Sequence, residues 1–214
     1  MLRKSEVMGV FVIVGILLLM AIPGLSEVKK KSAQEICMAN MKQIYSAIKM
    51  FAEDHNGEVI GLFEGDVNDG LNWWPNRLMP YVDKNAPVWT MVKTYQCPSN
   101  DLKETAFAGK SYSYGLNFRV SYNYDWSKGP RPKFTAVKNP AKKALLVDAV
   151  SAQNVWALCT NTFFDKAAPE IGAGNMSVRH DGGLNILFFD GHVEYRKKDK
   201  VPTGETNSFW DPFK

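Results

Sequence analysis

Apolar residues fall along this chain in three patterns, and each predicts a different element. From Val7 to Leu25 nineteen residues run without a charge, VMGVFVIVGILLLMAIPGL, close to the ~20 that a helix needs to cross a hydrocarbon layer about 30 Å thick. The run predicts a transmembrane helix, with Val7, Phe11, Ile16, Pro23 and Leu25 in the anchor. A cleaved secretory signal is the rival reading, but it needs an apolar region of about 7–15 residues and a small-x-small site. Pro-Gly-Leu-Ser-Glu follows instead. Beyond it Cys37, Met41, Ile44, Ile48 and Phe51 recur at alternating steps of four and three, which keeps them on one stripe of a helix. Asn56-Gly57 then supplies a left-handed stop. A single helix from about Glu6 to His55 would measure about 75 Å, with Pro23 removing one backbone hydrogen bond inside it.

The third pattern is strand-like. ALLV at 144–147 and LNILFF at 184–189 are short apolar runs, and the second meets HVEYR across Asp190-Gly191. Asp-Gly suits the positive φ angles of a two-residue type I′ turn. In that register Phe189 faces His192, Phe188 faces Val193 and Ile186 faces Tyr195. Ile186, Phe188, Val193 and Tyr195 would then form one apolar face for the helix to cover. The expected fold is α+β: a long N-terminal helix, transmembrane in its first half, packed on a small antiparallel β-sheet. It divides into the transmembrane helix with its flanks (1–30), an amphipathic continuation (31–57) and a globular α+β part (58–214).

Composition narrows the function. A length of 214 residues suits one domain plus an anchor. The net charge of +4 is mild and its lysines are scattered or sit beside the apolar run, so nucleic acid is not an expected partner. Three cysteines, Cys37, Cys97 and Cys159, fit no metal spacing and allow at most one internal bridge. In an exported domain Cys97–Cys159 is the expected pair, because Cys37 falls in a helix close to the membrane; three buried thiols are the alternative.

The layout of the N-terminal half resembles the type IV pilin and type II secretion pseudopilin superfamily. Laid on that family's motif without gaps, Glu6 falls on its glutamate, Gly15 on its mid-helix glycine and Pro23 on its proline. In this register Met1 occupies the glycine that ends the family's basic leader, whereas a second register cuts after Gly9 and puts Val14 in place of the glutamate. The stretch CMANMKQIYSAIKMFAEDHNGEV, Cys37 to Val59, is similar to one common in bacterial proteins with a prepilin-type N-terminus. YQCPSND, SYSYGLN, VKNPAKKALLVDA and finally His180, separated by nine residues from Asp190-Gly191, with His192 beside them, resemble the landmarks of prepilin-type proteins with a C-terminal H-x9-DG domain.

The resemblance implies a non-catalytic, membrane-anchored structural subunit of a type II secretion or type IV pilus-like system, with other pilin or pseudopilin subunits or secretion components as partners. It places the N-terminus in the cytoplasm, whereas charge alone slightly favours the opposite orientation, with Arg3 and Lys4 before the span and Lys29, Lys30 and Lys31 after it. The location implied is the inner membrane, single-pass, with the globular domain periplasmic or otherwise extracytoplasmic. It gives Glu6 a role in assembly, pairing with the N-terminal amine of a neighbouring subunit; the plainer reading is a glutamate favoured by the helix dipole.

Other chemistry is weighed against this. EGDVNDG, Glu64 to Gly70, gathers three carboxylates and could suit Ca2+, which major pseudopilins bind, but its spacing is not that of an EF-hand and a solvated turn explains it. His180, Asp181, Asp190 and His192 could converge on zinc or iron for hydrolysis, which requires His180, Asp190 and His192 to meet within about 4 Å of one point. A structural role for His180 is the preferred reading, so no catalytic residue, metal or cofactor is assigned. Trp73, Trp74, Trp89 and Trp126 offer a third possibility, a tethered binding module for carbohydrate or peptide.

Overall fold

The computed structural model describes residues 4–62, 64, 72–87, 90, 92–99, 112–117, 119–122, 131–149, 156–157, 176–202 and 207–213, with the side chains of the N-terminal helix from Glu27 onward. That helix, α1 (Lys4–Asp54), is one element of 51 residues that passes through Pro23. The predicted stripe is what it buries: Cys37, Met41, Ile44 and Ile48 are wholly inaccessible and Phe51 nearly so. The stop is where Asn56-Gly57 predicts it, the Gly57 N–H reaching back to the Ala52 carbonyl at 2.6 Å.

Beneath the helix lies a sheet of β1 (Tyr114–Asn117), β2 (Ala144–Asp148), β3 (Trp156–Ala157), β4 (Gly183–Phe188) and β5 (Val193–Lys197), in the order β3-β1-β2-β4-β5. β1, β2, β4 and β5 pair antiparallel, and the two-residue β3 lies parallel to β1 at the edge. The α+β expectation therefore holds. The sheet is apolar on both faces, which is why β2 and β4 read as continuous apolar runs instead of alternating ones. On the α1 side Met41, Ile44 and Ile48 pack with Trp74, Tyr95, Leu187 and Phe189. On the other side Leu184, Ile186 and Phe188 pack with Phe209 and Trp210 of the C-terminal segment, pinned by the Trp210 indole N–H to the Pro202 carbonyl at 2.8 Å.

The β4–β5 hairpin forms, but one residue out of the expected register. Leu187 pairs with Val193, Ile186 with Glu194 and Asn185 with Tyr195. The turn is a three-residue one, Phe189–Gly191: the Phe188 carbonyl accepts from Gly191 N–H and the Phe188 N–H donates to the His192 carbonyl, both at 3.0 Å. Gly191 takes φ 94°, the left-handed residue of a bulged three-residue loop, and an added Cβ would meet the Tyr45 ring at 2.5 Å. Because side chains alternate with period two, the slip exchanges faces. Ile186 and Phe188 point away from α1, while Leu187, Phe189 and Val193 pack with the helix-side core.

The single-pass membrane location is overturned: among the described residues no helix is long and apolar enough to cross a membrane. The described side chains of α1 give the physical reason for that stretch. Glu27, Lys29, Lys30, Lys31, Glu35, Lys42 and Glu53 stand on its exposed faces, and its apolar stripe covers a sheet, not lipid. The side chains of Glu6, Val7, Phe11, Ile16, Pro23 and Leu25 lie outside the described residues, although their backbone is part of α1.

Candidate functional site

Four separate segments bring polar or sulfur side chains to one buried point near the N-terminal end of β4. Cys37 is the first buried residue among the described side chains of α1. Asn40, three residues on and so on the same face, turns its amide into the domain. Its Nδ2 donates to the Gln96 carbonyl at 3.0 Å and lies 3.2 Å from the Tyr114 hydroxyl. That clamp holds the segment after the 3-10 turn Lys93–Tyr95 against the helix and sets Cys97 beside Cys37. The two form a disulfide with Cα atoms 5.3 Å apart.

Cys97 therefore pairs with Cys37 and not with Cys159, which lies outside the described residues. The expectation failed because it placed Cys37 near lipid, whereas Cys37 is buried in the core of the domain.

Asp148 closes β2 and is fully buried. Its Oδ2 accepts the Asn185 N–H of β4 at 2.7 Å and stands 3.5 Å from His180 Nε2. The same nitrogen is 3.5 Å from Cys97 Sγ. His180, 3% exposed, is aimed inward by the turn that follows it. Asp181 and Gly182 take φ 47° and 71°, and His180 and Gly183 exchange N–H···O bonds of 3.2 and 2.9 Å across them. The Asp-Gly dipeptide of a two-residue left-handed turn is thus Asp181-Gly182, nine residues before the one the sequence suggested.

Burial dominates the electrostatics. It pushes the Asp148 carboxyl up to about 6, against the pull of Arg179 and the Asn185 hydrogen bonds. It pushes His180 down to about 4, with the Arg179 charge acting the same way. Desolvation thus favours the neutral form of each group. Asp148 Oδ1 meets no hydrogen-bond partner among the described residues.

The other predicted residues go elsewhere. Asp190 and His192 sit in the hairpin turn at the far end of β4, paired at 2.6 Å with side chains 34% and 43% exposed, and the His192 ring stacks on Phe188 with centroids 4.2 Å apart. The six residues of β4 separate them from His180 by roughly 20 Å at about 3.4 Å per residue. A site made of His180, Asp190 and His192 is excluded.

Glu64 is engaged by Arg77 at 2.5 Å and by Arg131, and residues 65–70 of the calcium candidate lie outside the described residues. Trp74 is fully buried, edge-on to Tyr95 at 5.7 Å, and Trp73 packs on the same core. Neither is a free binding platform; Trp89 and Trp126 lie outside the described residues.

Sequence reading missed Cys37, Asn40 and Asp148 as members of one site. The available signal was the placement of Cys37 and Asn40 three apart on the buried face of one helix, and a carboxylate at the end of an apolar strand. No family model, no curated protein and no solved structure matches this chain.

Proposed function

We propose that the chain is a non-catalytic, pilin-like structural subunit that assembles with other subunits of a pilus or type II secretion-like system through the part of α1 N-terminal to Cys37. One observation carries this reading. Among the described side chains of α1, which begin at Glu27, the buried stripe starts at Cys37. Residues 27–36 are exposed or half-exposed, with Val28 67% and Ile36 46% accessible. N-terminal to them the sequence Val7–Leu25 is uncharged, a composition that favours helix packing against other apolar surfaces.

Support for a non-catalytic role comes from the separation of His180 from Asp190 and His192, and from the burial of the His180 site. The experiment is site-directed cross-linking between copies in the cells that make the protein, with cysteines introduced in turn at Ile13, Leu17 and Met20. A periodic ladder of cross-linked dimers, absent from the chain with no introduced cysteine, is expected. No cross-link at any position, with the chain present at normal levels, would refute assembly through α1.

A further inference from the structure

We propose that Cys37, Cys97 and His180, with Asp148 as fourth ligand, form a zinc site when the Cys37–Cys97 bond is reduced. The donor atoms of Cys37, Cys97 and His180 all lie within 4.8 Å of one another and all three residues are buried. His180 Nε2 is 3.5 Å from both Cys97 Sγ and Asp148 Oδ2. Ligand bonds of about 2.0–2.3 Å in a tetrahedron place neighbouring donor atoms about 3.3–3.8 Å apart, so those two separations are already tetrahedral edges. Two sulfurs and an imidazole select a borderline-soft ion over calcium or magnesium.

Asp148 supplies an acceptor already oriented by the Asn185 N–H, which is what an outer-shell partner does for a ligand. The donors come from α1, the segment after the 3-10 turn, β2 and the turn before β4, so the ion would tie the same elements as the disulfide. The two states exclude one another. A dithiol reductant gives two electrons and two protons, the S–S bond opens to two thiols and the donor's own sulfurs become bonded. Zinc then displaces both thiol protons to solvent.

The test uses the full-length chain with Cys159→Ser, so that the third thiol is absent, compared oxidised and reduced under nitrogen. Bound zinc is counted after gel filtration, and Co2+ is titrated as a spectroscopic stand-in. Close to one zinc per reduced chain, none per oxidised chain, and a thiolate-to-cobalt charge-transfer band with tetrahedral visible bands are expected. His180→Ala should weaken zinc at least by the about 10–100-fold that loss of an outer-shell partner alone costs.

Equal zinc in the oxidised and reduced chains overturns the proposal, as does equal affinity in the His180→Ala chain. If the reduced chain unfolds, circular dichroism replaces the count: refolding on adding zinc, but not magnesium, supports the site, and failure to refold overturns it.

Discussion

The two ends of β4 carry the same pair of residue types in opposite surroundings. At its N-terminal end His180 and Asp148 face each other at 3.5 Å with side chains 1% and 0% exposed; at its C-terminal end His192 and Asp190 meet at 2.6 Å with side chains 43% and 34% exposed. The shorter contact is the weaker one energetically, because water screens it and competes for both partners. The longer contact sits where desolvation moves both protonation equilibria and where a disulfide closes the third side. Burial, not proximity, decides which His–Asp pair shapes the protein.

The largest effect should come from the buried end. Cys97→Ser opens a loop of 60 residues and is expected to lower stability by about 4 kcal/mol on the chain-entropy estimate. Urea unfolding of the oxidised variant and wild type measures it. A loss under about 1 kcal/mol, the most an exposed pair gives, would erase the contrast between the two ends.

The next effect is one of pH. Asp148, whose folded value is raised to about 6, contributes stability that is full below its unfolded value and is lost as pH rises through about 6. His180, lowered to about 4, contributes stability that is full above its unfolded value and is lost as pH falls through about 4. Between those values the two slopes oppose, and the wild type should be nearly flat. Asp148→Asn leaves His180 alone, so its stability should rise between about pH 4 and 6.5, at up to about 1.4 kcal/mol per pH unit. A variant as flat as the wild type would mean that His180 is not held neutral by the fold.

What the sequence made legible, and what it hid, follows the same division. Local periodicity found α1 to within two residues of its start, its stripe and its Asn56-Gly57 stop, and apolar runs found β2 and β4, because these depend on near neighbours. The hairpin slipped because Asp190-Gly191 has the dipeptide of a two-residue turn, whereas the three-residue turn seats Gly191 against Tyr45, a contact between residues far apart in sequence. The site was hidden for a stronger reason. Its members stand at 37, 97, 148 and 180, and no spacing along the chain reports that β2 and the buried face of α1 end at the same place.

The turn itself gives a smaller effect. Gly191→Ala forces a side chain onto φ 94° and into the Tyr45 ring, and about 1–3 kcal/mol of destabilisation is expected from the backbone strain. Chemical denaturation checks this. A neutral substitution would show that the hairpin can adopt the two-residue turn after all, with its faces exchanged.

The smallest effect should be at the exposed pair. His192→Ala removes the 2.6 Å contact to Asp190 and a ring stacked on Phe188. Exposed pairs contribute about 0–1 kcal/mol, and the Asp190 carboxylate keeps its second bond, to the His192 backbone N–H at 3.2 Å, which alanine retains. The turn should therefore stand, and the unfolding midpoint in urea should move little. Raising the salt concentration should shrink even that difference, since screening acts on the exposed pair and not on the buried one. A loss as large as that of Cys97→Ser would mean that the hairpin tip, where His192 caps Phe188, anchors the outer core, and that burial beneath a residue can matter as much as burial of it.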